Sequence, residues 1–323
     1  MTCKQIKRSF IRRFTIVNKS QILLRHDPAV AVAKTAARNA DIASTGVRFS
    51  SGDKLRILTR RSCALAFFLL AGLTQSAPLH AQAAQVELVA VPNRPTFAST
   101  AETVQRGVFE VEYGFEAAKG HQNINGLLKW GVFKNLELWF LNNPIQRDAG
   151  VAGMGDSGAG FKFAMIPQKK AIPKVAVLYV ATLPTASAGL GAGESGHSVQ
   201  MLFSKDLGKH HIDINEGVQF VGRPGASGYD RNYFTALSYF HPLTGKWGYT
   251  GEIAGFSRTN AATPATMTLL HAATYNVSPR LILDAGAYFA VYGDLPRVTF
   301  FGGVTYSIAN LYHLHSAHKP SKN

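Results

Sequence analysis

Cysteine is nearly absent: Cys3 and Cys63 are the only two in 323 residues. Both precede residue 84, so whatever follows has neither a disulfide nor a thiolate metal site available. Long apolar runs are missing too. The longest is Cys63–Leu73, 11 residues, well short of the roughly 20 that a membrane-spanning helix needs. Nothing after Ala83 approaches 18 apolar residues, which excludes a helical membrane protein. Acidic residues are scarce, 19 Asp+Glu against 34 Lys+Arg, for a net charge of +15. That excess would suggest nucleic-acid binding, but it is unevenly spread. Residues 1–83 hold 14 Lys+Arg and 3 Asp+Glu, whereas residues 84–323 hold 20 and 16. Most of the basic charge therefore belongs to the first quarter of the chain, and no nucleic-acid partner is expected. What remains is rich in the opposite features, with 30 Gly, 20 Phe and 11 Tyr.

The basic quarter contains a processing signal. Lys54-Leu-Arg-Ile-Leu-Thr-Arg-Arg61 is a charged n-region, Cys63–Leu73 an apolar core, and Ala81-Gln-Ala83 a small-x-small cleavage site. Residues 54–83 are thus expected to be a secretory signal peptide cleaved after Ala83, with Ala81 and Ala83 as the recognition residues. Cys63 opens the apolar run instead of closing it, which argues against lipidation. Residues 1–53 are expected to be an N-terminal extension or a start assigned too early; after Met1 the next methionine is Met154. The exported part divides into an N-terminal periplasmic segment, 84–106, a folded region, 107–308, and a polar tail, 309–323.

The folded region alternates with period two. In Gly107–Phe115 one face reads Phe109, Val111, Tyr113, Phe115 and the other Val108, Glu110, Glu112, Gly114. In His211–Val221, Ile212, Ile214, Val218 and Phe220 oppose Asp213, Asn215, Gly217 and Gln219. Such faces belong to strands. Twelve are expected, near 107–115, 123–132, 136–141, 156–165, 174–183, 197–206, 211–221, 232–240, 246–256, 266–275, 281–292 and 298–308. Their connections alternate between short turns and longer loops such as Asn142–Gly155 and Pro184–Gly196. An even number of amphipathic strands with tight turns at one end is the signature of an all-β, antiparallel transmembrane barrel of the bacterial outer membrane. Twelve strands would leave both termini in the periplasm.

Side-chain parity separates this from a soluble barrel, which would keep its bulky apolar set inside. Here the strand charges oppose that set. Glu110, Glu112, Lys129, Glu137, Lys162, Asp213, Gln219, Glu252 and Asp284 are expected to line the lumen, and aromatics near strand ends, Trp130, Trp139, Trp247, Phe256, Tyr275 and Tyr306, to mark the membrane interfaces. Glu216 breaks the pattern by falling on the outward set, as a bulge, a slipped register or a girdle-level position would make it do. The excess of acids over bases inside suits a cation-leaning path. It equally suits an interior filled by ion pairs, with residues 84–106 or Asn142–Gly155 folding inward as a partial plug.

Five short segments, in order, carry a family resemblance: Leu127-Leu-Lys-Trp-Gly-Val-Phe-Lys-Asn-Leu-Glu-Leu138, Gly153-Met-Gly-Asp156 followed by Gly160-Phe-Lys162, Leu183-Pro-Thr185, Ser204-Lys-Asp-Leu-Gly208 and Gly251-Glu252. Together they resemble the outer-membrane barrels grouped as the meta-pathway of phenol degradation family, often called transporters. The resemblance covers about residues 107–308 and implies a passive conduit or binding barrel for small, aromatic or hydrophobic compounds. Two departures are Ala186, where that family commonly has Gly, and the continuation past Tyr306 and Ile308, where many such barrels end on an aromatic.

Motifs of chemical appearance are weaker. Gly155-Asp-Ser-Gly158 matches the tetrapeptide around a protease nucleophile but opens a strand and lacks placed partners. Gly191-Ala-Gly193-Glu-Ser-Gly196 fits a dinucleotide pattern yet leads into a strand, not a helix. His313-x-His315-x-x-His318 lacks acidic partners for a metal. No catalytic, cofactor or metal residue is assigned. A lipid hydrolase built from Ser198, Ser204, Ser238, His197 or His271 is the alternative, and a structural barrel without transport a third. The expected partners are outer-membrane lipid, a small solute and the outer-membrane assembly machinery.

Overall fold

The computed structural model describes residues 87–312. The extension, the signal peptide with Ala81 and Ala83, and the His313/His315/His318 cluster lie outside the described residues. Thirteen strands follow one another: β1 Val108–Ala118, β2 His121–Phe133, β3 Leu136–Asp148, β4 Val151–Gly153, β5 Ser157–Ile166, β6 Lys174–Leu183, β7 Gly196–Leu207, β8 His210–Gly222, β9 Tyr229–Pro242, β10 Trp247–Phe256, β11 Thr266–Ser278, β12 Leu281–Tyr292 and β13 Val298–Asn310. All pairings are antiparallel, each ring strand pairing with its neighbours, and β13 pairs with β1 from Val108↔Asn310 to Ala117↔Phe300. The sheet is therefore a closed barrel of twelve strands. The three-residue β4 stands outside the ring and pairs only with the far end of β3.

Closure explains how so weakly hydrophobic a chain can present an apolar exterior. Every strand of the ring is paired on both sides, so only one side of each strand has to be apolar. The ring strands run from 10 to 14 residues, at or above the roughly 9–11 that cross a bilayer when tilted. Leu138, Phe140, Phe161, Phe163, Ile214, Leu237, Ile253, Leu269, Leu283 and Phe300 are all exposed on the outer face, a surface that in water would be an extensive apolar patch.

The stretch 142–155, read from the sequence as a loop, is instead mostly wall. β3 continues through it to Asp148, turns at Ala149-Gly150, both with positive φ (46° and 90°), and returns as β4. Pro144 is tolerated because the β2–β3 register shifts beside it, between the Ile124↔Ile145 and Gly126↔Asn142 pairs. Proline in a sheet is confined to such irregularities and to edges. Glu216 has none. The β7–β8 and β8–β9 registers pass through it without a shift, and its carboxylate, on the outer face, accepts a 2.6 Å hydrogen bond from Thr235 Oγ1.

Candidate functional site in the barrel lumen

Residues 87–106 enter the barrel and leave it at the same end, the end of the short turns. Gln105 Nε2 donates to Glu87 O, and Ala90 N to Pro279 O in the β11–β12 turn. Between these points the segment travels around the inside of the wall. A segment without its own secondary structure must place its backbone polar groups somewhere, and here they go to inward side chains of the strands it passes. Val91 N–H donates to Glu110 Oε2 on β1 at 3.0 Å, and Asn93 and Arg94 N–H donate to the two oxygens of Glu112 at 2.9 and 3.0 Å. Phe97 and Ala98 N–H share the Glu252 carboxylate on β10. Asn215 on β8 accepts from Ser99 N–H and donates to Ser99 O; Ser204 on β7 accepts from Ala101 N–H. Lys162 on β5 donates to Thr100 O, and Glu137 on β3 accepts from Val104 N–H at 2.7 Å.

The charges on these side chains are also satisfied by one another. Lys129 Nζ lies between Glu110, at 2.6 Å, and Glu112, and donates to Val91 O. Lys162 pairs with Glu137 at 3.0 Å. Arg94, carried by the segment, reaches Asp284 on β12 through Nε and Nη2 and Asn125 on β2 through Nη1. Burial disfavours the Arg94 charge, but the carboxylates of Asp284, Glu112 and Glu116 together outweigh it and raise the guanidinium pKa above its ordinary value. Gly114 and Gly303 make room for this side chain, since a Cβ at either would collide with the guanidinium.

All nine residues of the inward set, Glu110, Glu112, Lys129, Glu137, Lys162, Asp213, Gln219, Glu252 and Asp284, are buried. The first five, with Glu252 and Asp284, bind the segment or one another. Asp213 instead accepts from Ser204 and Ser238 and contacts His211. Parity alone did not reveal Asn215 and Ser204 as anchors, because neutral residues on an inward face carry no charge signal. Nor did it foresee how much of the inner wall is apolar. Phe97 and Ala98 pack with Phe234, Phe256, Leu270, Tyr288 and Phe301 in one cluster, and Ala101 with Trp139, Ala176, Leu178 and Leu202 in another.

Two interface aromatics are thereby corrected. Trp139 is buried on the inner face, donating from Nε1 to Glu137 Oε1 at 2.5 Å with Lys162 over its ring, and Phe256 lies in the inner cluster against Phe97. Both are drawn inside by the apolar side of the segment. Trp130, Trp247, Tyr275 and Tyr306 alternate with the inward residues at the short-turn ends of their strands; Trp247 packs at a tilt against Tyr275 with ring centroids 4.8 Å apart, and Arg280 covers Tyr306 at 4.7 Å.

At the long-loop end, Asp156 accepts from Ala186 N–H and Ala192 N–H. The acid of the protease-like tetrapeptide is therefore a loop anchor. The glycine-rich pattern is the loop it anchors, with Gly189, Gly191 and Gly193 at positive φ. Neither motif forms the site its sequence suggested. The segment leaves a cavity of about 170 Å³ beside it, lined by Arg94, Phe97, Glu112, Trp139, Leu178, Gln219 and Tyr288 among others.

A closed antiparallel ring with an apolar exterior and a largely polar, internally bridged interior is the architecture of outer-membrane β-barrels. An outer membrane channel from Pseudomonas putida F1 superposes with a TM-score of 0.52 at 14% identity, over 66% of this chain and 99% of that one. The NanC and KdgM porins each give 0.46, at 9% and 8% identity, over 62% of this chain and 100% and 99% of theirs. At such identities the likeness speaks to the fold alone. No protein-family model and no curated protein matches the chain.

Proposed function

We propose that the chain is an outer-membrane barrel of a diderm bacterium that passes or holds small molecules without chemical conversion. The single observation that carries this reading is the lumen. Its interior is bridged by the 87–106 segment yet keeps an amphipathic cavity beside it, a partly apolar space with a few placed polar groups of the kind small molecules occupy. The short-turn end is the periplasmic one in this reading, with both termini there, following export by residues 54–83. The P. putida channel fold supports the location, and the resemblance of the short motifs to the meta-pathway of phenol degradation family favours small aromatic or hydrophobic solutes.

The hydrolase alternative is disfavoured by where its candidates lie. Ser204 and Ser238 both bond Asp213, while His197 and His271 sit with Tyr179 and Tyr249. A serine nucleophile needs the imidazole next to it, and Asp213 stands between Ser204 and His211 instead. Solute uptake or conductance in reconstituted vesicles, unchanged in Ser198→Ala, Ser204→Ala and Ser238→Ala, is the expected result. Release of fatty acid from lipid would establish the hydrolase, and an inert barrel would show neither.

A further inference from the structure

The cavity beside the segment has an unusual division of labour among its lining groups. Its apolar lining comes from the two inner clusters, Trp139, Leu141 and Leu178 from one and Phe97, Tyr288 and Phe301 from the other. Its charged lining residues are Arg94, Glu112 and Glu116, and each is already engaged. Glu112 holds Lys129 and two backbone N–H groups, Arg94 spends three nitrogens on Asp284 and Asn125, and Glu116 accepts from Asn125 Nδ2 at 2.8 Å. An ionic ligand would therefore have to shed water without meeting an uncommitted countercharge. The neutral polar lining differs. Gln219, 7% exposed, and Gln200 come from the adjoining strands β8 and β7, and their Oε1 atoms, like Asn93 Oδ1 and Tyr288 Oη in the same lining, are buried without a hydrogen-bond partner. A primary amide can both donate and accept.

Size narrows the ligand further. A cavity of about 170 Å³, partly open, is comparable with the roughly 150 Å³ enclosed apolar cavity that accommodates benzene. We infer that this cavity is a binding site for a neutral molecule the size of one six-membered ring, held between the apolar walls with a single hydrogen-bonding substituent at Gln219 and Gln200. The inference deepens the conduit reading by naming its ligand class, but binding is measurable whether or not solute crosses.

The test uses the folded barrel in detergent with Trp130→Phe and Trp247→Phe, so that Trp139, against the cavity, is the one remaining tryptophan. Its fluorescence is titrated with cyclohexanol, methylcyclohexane, cyclohexylammonium and cyclohexanecarboxylate. Saturable binding of cyclohexanol is expected, with both ions about tenfold or more weaker. Gln219→Leu should weaken cyclohexanol by about tenfold, the scale of one lost buried hydrogen bond, and leave methylcyclohexane unchanged. Gln219→Glu should turn the preference toward cyclohexylammonium. Heat-modifiable gel mobility shows that each variant is folded. Equal or tighter binding of either ion to the unaltered site, no saturable change with cyclohexanol, or a Gln219→Leu barrel that binds it undiminished would overturn the inference. Vesicles that pass no solute, with this binding intact, would overturn only the conduit.

Discussion

Arg94 and Asp284 are the residues on which the seating of the segment can be tested most sharply. Their side chains are 13% and 3% exposed, and removing one partner of such a pair strands the other charge in a poorly solvated place. Arg94→Ala is expected to destabilise the barrel by about 3–5 kcal/mol. The double variant Arg94→Ala/Asp284→Ala should recover much of that loss, because the stranded carboxylate goes too. Urea unfolding followed by tryptophan fluorescence would measure both. Tryptophan also tests the placement of aromatics: with one Trp retained at a time, brominated lipid should quench Trp130 and Trp247 strongly and Trp139 weakly. The sequence held the signal for that difference. Trp139 stands two residues after Glu137, so period-two parity puts both on one face, whereas its neighbours Leu138 and Phe140 carry the exposed apolar set. Proximity to a strand end misleads where a lumen contains apolar matter for an indole to pack against.

Among elements, the strands were the legible part and the segment 87–106 the obscure one. Alternation reports which side of a strand faces lipid, and it does so locally. The segment has no periodicity, because its backbone is satisfied by side chains scattered from β1 to β10. Only the pairing of an inward polar side chain with a distant backbone group gives it a path, and that pairing is tertiary. The expected end of β3 at residue 141 falls short for a related reason: Asn142-Asn143-Pro144 has turn composition, and only the pairing with β2, which sets Asn143 and Pro144 opposite the single residue Asn125 and resumes at Ile145↔Ile124, shows that the strand continues through it. Glu252→Ala, which leaves Phe97 and Ala98 N–H without their acceptor, is expected to weaken the central crossing by about 1.5–3 kcal/mol, the range for a hydrogen bond to a charged group. It should make residues 95–101 more accessible to added protease in detergent, read as a new cleavage there. Replacing 95–101 by a short glycine-serine linker should raise conductance in planar bilayers relative to the unaltered barrel.

On the scale of the whole molecule, the barrel binds itself together in two ways: by a ladder of backbone pairs that closes β13 on β1, and by an inner strap tied to most of its strands. Heat-modifiable gel mobility should report the first, with the closed form migrating faster than the boiled chain. Loss of the strap, by the linker replacement above, should lower the temperature of that conversion without abolishing the fast form.

The strap also orders assembly in time. Residues 87–106 are synthesised before every strand that anchors them, yet Ser307 on β13 donates to the Glu110 carboxylate that holds Val91 and lies within reach of Val89 O at 3.3 Å. Its full set of anchors exists only after the last strand has met the first. The earliest part of the folded chain can thus complete its contacts only when the ring has closed, and because it goes in and comes out at one rim, it can be laid into a finished cylinder without being threaded through it.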